Sequence, residues 1–190
     1  MKIFRINAKI PAGLVCGLLL SGCSLFSPPD QTAIEYYDLN RPERLSSVPI
    51  RVEQLVSFSG ERQRMIQRRD NGISIRSSDF HKWVQSPGGM LTRYLRLTFR
   101  NEEKDNLLKN ADPVILRGEV LVFEISGGCA ELGVRYQLTH GRTSLEKTVL
   151  IREKMDRKGP EAFSLAMSRA AHRFARMIAS EAGKLSAGRK

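Results

Sequence analysis

The sequence predicts an α+β domain, a mostly antiparallel sheet with two helices packed on one face, in the order strands, helix, strands, helix. Three observations lead there. Between residues 34 and 154 several short runs alternate apolar and polar side chains with period two, as strands with one buried face do. Residues 86–100 and 160–185 instead space their apolar positions three to four apart, as helices with one buried stripe do. Each helical stretch follows a block of strands, and two helices covering one sheet face is the economical way to bury both kinds of apolar surface.

The elements follow in order. Ile34 to Leu39 is a short aromatic strand stopped by Asn40-Arg41-Pro42. Val48, Ile50, Val52, Val56 and Phe58 share one parity and are expected on a buried face, with Arg51, Glu53 and Ser57 opposite. Met65 to Arg69 and Ile73 to Ser77 flank Asp70-Asn71-Gly72, a hairpin signal because a tight two-residue turn needs positive φ at its centre. Ser86 is placed to cap the first helix and Pro87 to open it, where a missing N–H does no harm. Met90, Leu91, Tyr94, Leu95 and Leu97 form its apolar face, and Arg93, Arg96 and Arg100 face away. Pro113 to Ile125 is apolar on both parities, which suits a central strand or one touched on its second face. Gly127-Gly128 ends it. Ala130, Leu132, Val134, Tyr136 and Leu138 then alternate cleanly with polar neighbours, and Leu145 to Ile151 follows the turn at Gly141. Pro160 and Glu161 open the last helix, with an acid at the positive end of its dipole. Its inward positions include Phe163, Met167, Ala170, Phe174, Met177, Ile178 and Leu185, and Arg169, Arg173 and Arg176 lie opposite as a solvated basic side.

The first residues read as targeting rather than fold. Lys2, Arg5 and Lys9 precede a short apolar run, Ile10 to Leu20, too short to span a bilayer. It ends in Leu20-Ser21-Gly22-Cys23, which matches the bacterial lipobox: small residues beside the cut and a thiol to carry the lipid. The expected organisation is a signal peptide over 1–22, a lipidated Cys23 with a Pro-containing tether over 23–33, and one periplasmic domain over 34–187. Each buried CH₂ of an acyl chain contributes about 0.8 kcal/mol, so two or more chains hold such a protein on a membrane without spanning it. Ser24 after the Cys favours the periplasmic face of the outer membrane over the inner membrane. With Cys16 removed and Cys23 acylated, only Cys129 is left, so no internal disulfide can form. Cys129 is expected to be a buried, small apolar residue at a strand end.

The 31 basic and 20 acidic residues give a formal charge of +11, which points to anionic partners. An extracytoplasmic location excludes nucleic acid. Arg62, Arg64, Arg68 and Arg69 cluster at the predicted hairpin and are candidates for anionic lipid headgroups, each cation near such a surface contributing about 1 kcal/mol. General solvation of a basic protein explains the cluster equally. No catalytic residue stands out. His81, His140 and His172 have no metal-ligand spacing, no phosphate-binding glycine motif occurs, and no cofactor is called for. Ser126-Gly127-Gly128-Cys129 has no identifiable base near it in sequence. A non-enzymatic protein is expected.

The ordered features resemble a known family. They are the lipobox, a short tether, Tyr36-Tyr37-Asp38-Leu39, Ile50-Arg51-Val52, the hairpin, Trp83 before the first helix, Leu116-Arg117-Gly118-Glu119-Val120 and an amphipathic C-terminal helix. Together they resemble the ABC-type transport auxiliary lipoproteins, the PqiC-like group, over residues 34–185. The segment from Val84 to Gly89 departs from the acidic pattern of that group. The resemblance implies a non-catalytic subunit of an MCE-type ABC lipid transport system. Its partner would be an MCE-domain protein whose tunnel end it docks, an arrangement that allows a homo-oligomeric ring. Tyr36, Tyr37, Leu39 and Trp83 are then the candidates for partner contact or for structural packing. The alternative is a stand-alone lipoprotein that assists assembly of another outer-membrane or secretion complex.

Overall fold

The computed structural model describes residues 33–45, 48–58, 63–68, 72–100 and 112–188. The chain divides into two units, Met1–Ala33 and Ile34–Lys190, and all the elements named below belong to the second. The expected signal peptide, Cys23 and nearly all of the expected tether lie outside the described residues.

The strands are β1 (Glu35–Tyr37), β2 (Ile50–Val52), β3 (Val56–Ser57), β4 (Arg64–Arg68), β5 (Ile75–Trp83), β6 (Val114–Ser126), β7 (Cys129–His140) and β8 (Thr143–Lys154). The helices are α1 (Pro87–Phe99) and α2 (Pro160–Ala187). The strands form one sheet in the order β1-β5-β4-β6-β7-β8, with β2 and β3 also pairing with β6. The expected mostly antiparallel sheet is corrected here, because the sheet is mixed. β4–β5, β6–β7 and β7–β8 are antiparallel, whereas β1–β5, β2–β6, β3–β6 and β4–β6 are parallel. The hairpins are local and announce themselves by their turns. The parallel pairs join strands separated by α1 or by other strands, and no turn marks them.

β6 organises the sheet. β2, β3 and β4 follow one another along one of its edges, opposite Val114–Leu116, Glu119–Val120 and Ile125, and β7 takes the other edge. Its apolar character on both parities has a specific cause. The register with β7 slips between Val120 and Val122, so Leu121 is an extra residue and the strand's parity reverses. Val114, Leu116 and Val120 point inward before this bulge; Phe123 and Ile125 do so after it.

A second parity break corrects the expectation for 48–58. The ladder is interrupted at Glu53–Leu55, where Glu53 N–H donates to Leu116 O (3.0 Å) and Leu55 N–H to Thr92 Oγ1 (2.9 Å). Leu55 takes the inward position at 1% exposure, and Val56 and Phe58 are left outside at 57% and 73%. On β7 the alternation reads through unbroken, with Ala130, Leu132, Val134, Tyr136 and Leu138 all buried.

The helices cover the inner face. Ser86 caps α1 by accepting from Gly89 N–H (3.3 Å), with Pro87 in the first turn. Gly88 is required by close packing: a Cβ there would sit 2.6 Å from Leu55 O and 2.9 Å from the Val56 carbonyl carbon. Leu97, expected on the apolar face, is 43% exposed. α2 buries Phe163, Met167, Ala170, Phe174 and Ile178, while Met177 and Leu185 pack at the margin. Trp83 sits at the centre of this core, edge-on to Phe123 and Phe163 with ring centroids 5.2 Å apart in each case. Cys129 begins β7 and is half-exposed, not buried as expected.

Candidate functional surface

No helix covers the other face of the sheet among the described residues, and that face is built differently. Arg68, Glu124, Glu131 and Arg152 form a row across β4, β6, β7 and β8. The two glutamates stand opposite each other, which alone would destabilise the pair. Each is answered by its own guanidinium: Arg68 holds Glu124 with two hydrogen bonds, and Arg152 reaches Glu131 at 2.7 Å. The bond to Glu124 holds the Arg68 guanidinium charged beyond its ordinary range. Arg117 grips Glu53 through Nε (2.6 Å) and Nη2 (3.0 Å), which keeps the Glu53 carboxyl below the usual carboxylate range. Arg135 donates to Glu119 at 2.6 Å.

Large apolar side chains stand exposed among these pairs. Val56 on β3, Phe58 just after it and Leu150 on β8 lie on the outer face, as do Ile75, Phe80 and Tyr36 on β5 and β1. The face assignment follows from register, since Ile75 is opposite Arg68 and Tyr36 opposite Lys82. Ile73, beside Gly72 in the hairpin turn, is 88% exposed. Isolated exposed apolar residues are ordinary, but several on one uncovered face mark an interaction surface.

The helix side offers a shallow, open depression of about 940 Å³ over α2, lined by Arg41, Leu165, Arg169, Arg173 and Arg176 among others. Arg169 and Arg173 are not purely solvated as expected; both reach towards Glu153 on β8, at 4.0 and 3.6 Å. Below the hairpin, Met65, Arg76, His81, Gly159 and Pro160 border a smaller space of about 260 Å³. Among the described residues no group of three or more His, Cys, Asp or Glu is placed to hold a metal ion.

The sequence-derived candidates fall into different environments. Tyr36 is 59% exposed on the edge strand. Tyr37, beside it, is half-buried; its hydroxyl donates to the Glu35 carboxylate, and that bond, with burial and the carboxylate charge, pushes its pKa up to about 12. Leu39 and Trp83 belong to the core. Arg64 is exposed and pairs with Asp79 at 3.0 Å, and Arg68 is committed to Glu124. Arg62 and Arg69 lie outside the described residues.

A family model for the ABC-type transport auxiliary lipoprotein component matches residues 61–179. The chain belongs to this family. Its fold is shared with solved structures: an uncharacterized protein with 14% identity and a TM-score of 0.63, covering 78% of this chain and 98% of its own. A Xanthomonas campestris protein of the family DUF330 has 16% identity and a TM-score of 0.55, with 77% and 93% coverage. No curated protein matches the sequence. As a transport auxiliary lipoprotein, the molecule has a membrane-anchored envelope location and an association with an ABC transport system. No described helix is long and apolar enough to cross a membrane. Sequence reasoning missed the exposed apolar set of this lipoprotein. Part of its signal is present, since Phe80 lies on the opposite parity to Trp83, whereas Ile73, read as a strand residue, precedes β5.

Proposed function

We propose that the protein is a non-catalytic subunit of an MCE-type ABC lipid transport system, anchored through acylated Cys23 on the periplasmic face of the outer membrane. There it docks an MCE-domain protein and supports lipid movement between membranes and envelope integrity. The observation that carries this reading is the family match over residues 61–179, joined to the charged start, short apolar run and Leu20-Ser21-Gly22-Cys23 of the sequence. The uncovered sheet face supports it, because a docking subunit needs a presented surface and an enzyme needs an enclosed constellation. A homo-oligomeric ring fits the same surface.

The test is to isolate the lipidated protein from detergent-solubilised membranes and identify its companions by mass spectrometry. Recovery of an MCE-domain protein is expected. Recovery of a secretion or outer-membrane assembly machine in its place would contradict the proposal and favour an assembly-factor role.

A further inference from the structure

The edge of the sheet where the chain enters the domain carries five exposed large apolar side chains. They are Ile34 (47%), just before β1, Tyr36 (59%) on β1, and Ile73 (88%), Ile75 (53%) and Phe80 (47%) of the β4–β5 hairpin. β5 bends here. Arg64 pairs with Lys82 and Ile66 with Ser77, so residues 78–81 bulge out of the ladder, and His81 N–H is held by Ser78 Oγ at 2.9 Å. The bulge keeps Trp83 inward while Phe80 and Lys82 lie on the outer side with Tyr36. The cations on the outer side of this edge are Arg64 and Lys82, while Arg76 borders the space beside Gly159 and Pro160; the acids are Asp79, paired with Arg64, and Glu35, bonded by Tyr37.

We infer that this edge, formed by β1 and the β4–β5 hairpin, is a membrane-contacting face that rests on the bilayer holding the acyl chains. Two features of the chain choose a lipid surface as the occupant. The first is reach: ten residues, 24–33, separate Cys23 from Ile34, and ten residues span at most about 35 Å. β1 is therefore the described strand tied most closely to the anchor. The second is composition. Isoleucines and aromatics beside Lys and Arg suit the headgroup boundary, where apolar side chains enter the acyl region and cations meet phosphate. The inference rests on Cys23 acylation and adds the orientation of the domain. It also moves the weight of contact from the hairpin arginines to the apolar residues, since Arg64 and Arg68 already have carboxylate partners.

The test uses the full lipidated protein with Cys129→Ser, reconstituted in vesicles of phosphatidylethanolamine and phosphatidylglycerol. Spin labels are placed through Ile73→Cys, Phe80→Cys and, on the helix side, Leu165→Cys. Collisions with oxygen, which concentrates in lipid, are compared with those of a water-soluble nickel chelate. Labels at 73 and 80 are expected to shift towards oxygen and away from nickel, and the label at 165 to stay nickel-accessible. Nickel access at all three sites would overturn the inference. So would protection of 73 and 80 from both reagents, which would show a protein covering them. Intact mass of the same preparation reads acylation separately. Acylated protein with aqueous labels overturns the membrane face and leaves the anchor standing; an unacylated chain overturns the anchor and this inference with it.

Discussion

The two faces of the sheet answer to different demands. On the helix-covered face Trp83, Leu132, Val134, Leu138, Phe163 and Phe174 have no exposure, and full burial of each such side chain contributes about 1.5–3 kcal/mol. On the bare face carboxylates meet guanidiniums in rows, and Val56, Phe58, Phe80 and Leu150 stand between them largely exposed. Pairs with both partners exposed, such as Arg117–Glu53, contribute little to folding, on the order of 0–1 kcal/mol each, whereas Glu124 and Glu131 are themselves buried beneath their arginines. The covered face thus holds the domain together, and the bare face is left available to partners.

The largest expected effect tests that division directly. Trp83→Ala should cost about 3–5 kcal/mol in denaturant unfolding of the purified protein. Phe58→Ala, an aromatic loss on the bare face, should change stability by no more than about 0.5 kcal/mol. Equal losses would erase the distinction.

Two helical glycines sharpen it. Gly88→Ala gains about 1 kcal/mol of helix propensity. The new Cβ meets the Leu55 carbonyl oxygen at 2.6 Å, and overpacking against backbone costs about 1–3 kcal/mol or more, so a net loss is expected. Gly183→Ala on α2 has nothing within 4 Å of the added Cβ and should stabilise by about 0.5–1 kcal/mol. Paired melting curves of the two variants read the opposite signs.

A polar cluster at the margin of the core gives an intermediate case. Glu181 accepts from Tyr136 Oη and Lys147 Nζ, each at 2.5 Å. Burial alone would raise its carboxyl pKa, but these two bonds and the lysine charges outweigh it and hold the group below its ordinary range. A lowered native pKa means that the stabilisation is present above the unfolded value, about 4.3, and is lost as pH falls through the native one. Glu181→Gln should therefore cost about 1–2 kcal/mol at neutral pH. The gap to the parent should close below about pH 4 in a pH series of unfolding curves. Smallest of all, Arg135→Ala should cost under about 1 kcal/mol, and the loss should vanish in high salt.

Much of the covered face was legible because β7, α1 and α2 keep one period from end to end. Ser86, Pro87 and Pro160 take the cap and first-turn places that their chemistry predicts. The bare face was harder to read because its residues depend on events that leave no local mark. One extra residue at Leu121 reverses the parity of β6, and a three-residue break before Val56 turns Val56 and Phe58 outward. The parallel pairs of β6 with β2, β3 and β4 bring together segments more than fifty residues apart. Tyr36 and Tyr37 are adjacent in sequence and differ only in which face of β1 they occupy.

The most direct measurement of the central claim is an epistasis test on outer-membrane permeability. Strains lacking this lipoprotein, the proposed MCE-domain partner, or both are compared for uptake of an apolar dye. A shared transport role predicts that either single loss raises uptake and that the double loss raises it no further. Additive increases, or a lipoprotein strain as tight as the parent, would contradict it.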